Sequence, residues 1–108
     1  MNLTDQPTLA APTVIGRTDR WLVLFKPAGW LTIPGRAPGV PVLSDWAQAH
    51  HAPVWTVHRL DRETSGVILF ARTAEAHRLA NGWFEKHEVR KAYDCLVGGE
   101  LSAPVIRI

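Results

Sequence analysis

The chain has one cysteine, Cys95, in 108 residues, so it can form no internal disulfide and has no cysteine cluster to hold structural zinc. That composition suits a reducing compartment. A strong charge of either sign is also lacking, because 12 Lys and Arg stand against 10 Asp and Glu. The resulting net +2 favours polyanions only weakly and would not by itself suggest a nucleic-acid partner. No apolar run approaches the roughly 20 residues needed to span a bilayer. The opening MNLTDQPTLAAPT has neither the basic start nor the apolar stretch of a signal peptide. A cytoplasmic protein with no membrane partner is therefore expected. Internal repeats and low-complexity tracts are absent as well.

The composition is globular, with 46% hydrophobic and 20% charged residues, which is enough for one core and too short a chain for two. Residues 1–12 are polar and aperiodic, with Pro7 and Pro12, and read as a flexible leader; residues 13–108 read as one domain. Val14 and Ile15 suggest a short strand, and the apolar run from Trp21 to Phe25 a buried strand ended by Lys26-Pro27-Ala28-Gly29. Residues 30–41, with Pro34, Gly35, Pro38, Gly39 and Pro41, should be an ordered loop. Residues 42–51 read as a helix with Leu43, Trp46, Ala47 and His50 on one face and Ser44 or Asp45 near its start. Strands are expected at 54–57 and 67–71. Thr73 can cap a helix, ending near His87, whose packed face carries Ala76, Leu79, Ala80 and Trp83. Residues 89–97 alternate, with Val89, Lys91, Tyr93, Cys95 and Val97 on one side, and predict a further strand. After a turn at Gly98-Gly99, residues 105–108 look like the start of another. The fold class is α+β, a mixed and mostly antiparallel sheet flanked by short helices.

Between two apolar strands lies HRLDRETSG, residues 58–66, a polar loop that is costly to bury unless its groups find partners. Asp61, with an unperturbed pKa of about 3.9, is ionised near neutrality and able to act as nucleophile or base. Arg59 and Arg62 flank it and can hold it charged or engage phosphate. On chemistry alone, a purely structural loop is the weightier alternative, with Asp61, Thr64 and Ser65 satisfying backbone donors. His50, His51 and His58 with Asp61 match no standard metal-site spacing. A Ser65-His58-Asp61 relay is crowded into too short a loop to reach working geometry. The five tryptophans read mainly as core or loop anchors.

HRLD followed by TSG is similar to the active-site motif of RluA-type RNA pseudouridine synthases. KPAGWLTIPG, residues 26–35, resembles that family's upstream lysine-proline-glycine loop, and FEKHEVRKAYDCLVGG, residues 84–99, its downstream segment. The resemblance implies that Asp61 is the catalytic carboxylate, that Tyr93 stacks on the uracil, and that Arg59, with His58 and Arg62 beside it, holds the displaced nucleotide. It also implies isomerisation of uridine in structured ribosomal or transfer RNA, with no metal and no cofactor. The family's catalytic domain continues further, into a segment whose basic residue pairs with the catalytic Asp. On that comparison residues 13–108 are the N-terminal part of an incomplete catalytic domain, which a missing C-terminal half or a partner chain would complete. The alternative is a catalytically inactive remnant that at most binds RNA.

Overall fold

In a computed structural model, which describes residues 9–94, strand β1 (Thr13–Arg17) turns back through Thr18 into β2 (Trp21–Lys26). The Thr18 hydroxyl closes this hairpin by accepting from the amides of Arg20 and Trp21 at 3.3 and 3.0 Å. The chain then forms α1 (Leu43–His51), the two-residue β3 (Trp55–Thr56), β4 (Gly66–Ala71) and α2 (Ala74–Glu85). The sheet has the order β1-β2-β4-β3 with every neighbouring pair antiparallel. A two-helix, antiparallel-sheet α+β domain is thus what the apolar periodicity predicts.

Alternation in β2 and β4 divides the sheet into two faces. The cross-strand pairs Leu22 with Phe70 and Leu24 with Ile68 lie on one face. There they join Leu43 and Ala47 of α1 in the fully buried core. On the other face α2 lies across the strands, Trp83 stacking on Trp21 at 5.3 Å. This second face is less completely covered, and Val67 is exposed. As expected, Thr73 caps α2, its hydroxyl accepting from the Ala76 amide at 3.0 Å.

Several expectations need correction. Leu79, assigned to the packed face of α2, is 47% exposed; the helix buries only its small residues Ala76 and Ala80. Ser44 and Asp45 lie in the first turn of α1 as expected, while its N-cap, Val42, offers no side-chain acceptor. Instead the amides of Leu43 and Ser44 donate to the carbonyls of Leu31 and Thr32 at 2.7 and 3.0 Å, so the preceding loop supplies the missing acceptors for these groups. His50 is exposed, its ring lying on Trp46 at 4.3 Å instead of in the core. Residues 89–94 form no strand. At the end of α2 the amides of Lys86, His87 and Glu88 turn back onto the carbonyls of Gly82, Phe84 and Trp83. His87 adopts φ +57° there, and the segment that follows meets no strand edge among the described residues. The predicted strand's residues 95–97, the turn at Gly98-Gly99, the strand at 105–108 and residues 1–8 of the leader lie outside the described residues. At the near end of that leader Pro12 is buried, and the Ala10 carbonyl accepts from Trp30 Nε1 at 2.9 Å.

Leu24 is fully buried where α1 meets the sheet, so Leu24→Ala is expected to cost about 2–5 kcal/mol in urea unfolding. Leu79→Ala, at the exposed helix position, should change stability by less than about 0.5 kcal/mol. Equal losses at the two positions would contradict this division between core and surface.

Candidate active site

Lys26 and Gly66 are cross-strand partners at one end of the sheet. The loop leaving β2 and the loop entering β4 therefore meet there. The alternation that buries Leu22 and Leu24 also places Lys26 on the core face, with 0% of its surface exposed. Its Nζ donates to the carbonyls of Trp30 (2.7 Å), Arg62 (3.2 Å) and Pro27 (3.3 Å). An ammonium has three N–H donors, and each has an acceptor here. Burial pushes this amine below its ordinary range, while the nearby carboxylates of Glu63 and Asp61 act the other way and favour the charge.

Two further ties hold the loops together. The Gly29 amide donates to the same Arg62 carbonyl at 2.7 Å. Gly29 has φ +95°, a conformation that favours glycine, and a Cβ there would press on the exposed end of Leu9 at 2.8 Å. The buried hydroxyl of Thr32 donates to the Leu60 carbonyl at 2.9 Å and accepts from the Leu60 amide at 3.0 Å. The Leu60 side chain packs against the core. Asp61 thus lies between two anchored residues, Leu60 and Arg62, and its carbonyl accepts from the Thr64 amide at 3.0 Å to close a turn. Its side chain and those of Arg59 and Arg62 are exposed. All three line a concavity of about 230 Å³ whose opposite wall includes Ile33 and Pro34 of the upstream loop.

His58 and Tyr93 are placed elsewhere. Both line a larger cleft of about 640 Å³, with Thr64 and Ser65 on one side and Phe84 of α2 on the other. Leu60 is common to both concavities. His58 stacks on Phe84 at 4.8 Å, and its Nε2 accepts from the Leu69 amide at 3.0 Å, a donor that the short β3 leaves free. Nε2 is therefore occupied by the backbone and unavailable as a base, which removes the relay with Ser65. Burial, followed by the Lys91 ammonium, pushes the imidazole below its usual range. Lys91 also lies 5.5 Å from the centroid of the Phe84 ring. Tyr93 is 63% exposed on the irregular segment that replaces the expected strand. It shares a cleft with the end of the Asp61 loop but not with Asp61 itself. The structure thus brings Asp61, Arg59 and Arg62 together and sets His58 and Tyr93 on the other side of Leu60.

Sequence reasoning missed Lys26 and Thr32 as parts of this site. Lys26 was visible in principle, since extending the Leu22, Leu24 alternation by one step puts a lysine on the buried face. Nothing local marks Thr32, whose partner is 28 residues away.

An anchored loop that presents an exposed carboxylate between two arginines can supply a nucleophile or base beside contacts for a polyanion. Fold and loop together make this an α+β domain with a loop-borne carboxylate site. The pattern of the RNA pseudouridylate synthase family matches residues 20–107, and the chain belongs to that family. It is 37% identical over 95 residues to tRNA pseudouridine synthase C of Haemophilus ducreyi, covering 82% of this chain and 38% of the relative. Over 87 residues it is 42% identical to the synthase of the same name from Salmonella typhi, covering 77% and 34%. With the dual-specificity RNA pseudouridine synthase RluA of Yersinia pestis it shares 39% over 87 residues, covering 75% and 40%. The chain therefore spans between about a third and two fifths of these relatives' length. The solved structure of human RNA pseudouridylate synthase domain containing 4 has the same fold, with a TM-score of 0.57 at 21% identity over 70% of this chain and 30% of that one.

Two measurements test this geometry. Lys26→Met keeps the length of the side chain but removes the donor from the carbonyls of Trp30 and Pro27 and leaves that of Arg62 with the Gly29 amide alone, so stability should fall by roughly 1.5–3 kcal/mol. An unchanged urea midpoint would show that the ammonium is not holding the loops. For His58 the folded pKa is depressed, so on acidification through about 6.5 the unfolded chain takes up a proton that the folded chain resists. Stability should accordingly be full above that pH and decline below it. His58→Gln should flatten the decline in melting temperature between about pH 7.5 and 5. A residual slope is expected from His51, whose ring is also pushed down by burial and by Arg17, His50 and Arg72. Identical slopes in variant and wild type would contradict a buried neutral His58.

Proposed function

We propose that the protein isomerises uridine to pseudouridine in structured RNA, with Asp61 as the catalytic carboxylate. The observation that carries this reading is that Asp61, inside the family match, is exposed on a loop whose neighbouring residues are both fixed by hydrogen bonds. In the proposed reaction the bond between uracil N1 and ribose C1′ breaks while Asp61 engages the nucleotide. The base then rotates, C5 bonds to C1′, and the proton lost from C5 is balanced by one gained at N1. Nothing is added or removed overall, so positioning and electrostatics can supply the catalysis.

Arg59 and Arg62 flank the carboxylate and are suited to phosphate oxygens of a strand opened to expose its base. Tyr93 offers a π face in the adjoining cleft, on which the extruded uracil or its neighbour would stack. His58, held by the Leu69 amide, would contribute a wall of that cleft instead of a proton. The name tRNA pseudouridine synthase C, carried by relatives of Haemophilus ducreyi and Salmonella typhi, favours transfer RNA as the substrate, with ribosomal RNA the other candidate, and the single cysteine suits a reducing cytoplasm as the place of action.

The test measures tritium release from RNA labelled at C5 of uridine. The chain is assayed alone and as a chimera in which it replaces the matching segment of the Salmonella typhi relative. Asp61→Asn in the chimera should reduce release at least about a thousandfold while leaving the fold intact, as expected for loss of a nucleophile. Tyr93→Phe should retain more activity than Tyr93→Ala, because stacking needs the ring more than the hydroxyl. Substantial release by the Asp61→Asn chimera removes Asp61 from the role. RNA binding without turnover by the wild-type chimera would favour a binding protein instead.

A further inference from the structure

Asp61 carries an exposed, flexible type of side chain, yet the chain on either side of it is held from below. Arg62 is held through its carbonyl by Gly29 and Lys26. Leu60 is held by one side-chain oxygen, Thr32 Oγ1, which both donates to its carbonyl at 2.9 Å and accepts from its amide at 3.0 Å. That hydroxyl performs the work of a backbone partner in an antiparallel pair, where one residue exchanges both bonds with another. Thr32 is itself only 2% exposed. Its own carbonyl accepts from the Ser44 amide at 3.0 Å, at the start of a helix whose Leu43 and Ala47 are in the core. A continuous path therefore runs from the core through α1 and Thr32 to Leu60, and so to the residue that follows.

We infer that Thr32 is a positioning residue for Asp61, fixing the backbone at Leu60 so that the carboxylate is held in place on one side as Lys26 and Gly29 hold it on the other. This rests on the reading of Asp61 as the catalytic carboxylate. A β-branched residue suits the task because its χ1 is restricted, so the hydroxyl keeps its direction without further support. No other side chain type of similar size presents one atom that can donate and accept on so stiff a stem. Valine has the same shape and neither capacity; serine keeps the hydroxyl and loses the stiffness.

The test compares Thr32→Val and Thr32→Ser with wild type in the full chain. Amide hydrogen exchange at Leu60 and 15N relaxation at Asp61 are read against Leu22 and Leu24 as internal controls. In Thr32→Val the Leu60 amide should exchange about fivefold faster or more, as expected for loss of one net hydrogen bond, with Asp61 more mobile and the β2 amides unchanged. Thr32→Ser should restore most of the protection. In the tritium-release chimera, Thr32→Val should lower kcat by about tenfold to a hundredfold, as a small misplacement of a reacting group does, with little change in KM. Thr32→Ser should recover kcat. Unchanged Leu60 exchange in Thr32→Val, an unchanged kcat, or a serine variant no better than valine overturns the proposal. A chimera insensitive to Asp61→Asn would sink the catalytic reading instead, and the exchange data would still decide whether Thr32 fixes the loop.

Discussion

The site depends on a lysine buried beneath it. Removing an ammonium from water costs several kcal/mol unless it is fully hydrogen-bonded, and the carbonyls of Pro27, Trp30 and Arg62 meet that condition for Lys26. The dependence is mutual. Those carbonyls lie in loops with no ladder to satisfy them, and a buried carbonyl without a donor is itself unfavourable. Two of them belong to the loop leaving β2 and one to the loop carrying Asp61. The same ammonium therefore joins segments that are 36 residues apart in sequence.

Once the loops are joined, the chemistry separates cleanly between main chain and side chains. At Leu60 and Arg62 the contacts to Thr32, Gly29 and Lys26 use backbone atoms, while the Leu60 side chain turns inward to the core. Asp61, between them, is left free to face solvent. The inward turn of Leu60 also divides the surface, since this side chain lines both the Asp61 concavity and the cleft of His58 and Tyr93. His58 belongs more to the sheet than to the chemistry: its ring completes the pairing of Leu69 where β3 has already ended.

Much of the fold was legible because apolar periodicity is a local signal. Leu22, Leu24, Ile68 and Phe70 mark two strands, and Leu43, Ala47, Ala76 and Ala80 mark two helix faces. The strand expected at 89–97 shows the limit of that signal. Alternation describes which way side chains point if a strand forms, but a strand forms only where an edge receives it, and residues 89–94 meet none among the described residues. What caps α1 was not legible for a related reason. Ser44 and Asp45 are good capping residues by type, yet the carbonyls of Leu31 and Thr32 take up the Leu43 and Ser44 amides, and no sequence pattern reports where a distant backbone will lie. Of the site, the polar loop and Asp61 could be read from the sequence, whereas Thr32 sits in a proline- and glycine-rich stretch and gains its meaning only from Leu60.

Contacts made through backbone atoms place little demand on side-chain identity at the positions they hold. The demand falls instead on the residues that make them. Lys26 must be long and charged, Gly29 must tolerate a positive φ beside Leu9, and Thr32 must both donate and accept. HRLDRETSG therefore does not contain its own geometry. Moved to another scaffold, the nine residues would keep the carboxylate and both arginines but lose what orients them, and an exposed loop of that composition would sample many conformations. The role proposed for Asp61 would require it to be held to within about 0.5 Å of the productive arrangement. The upstream segment that supplies Lys26, Gly29 and Thr32 is thus as much a part of the candidate site as the loop bearing Asp61.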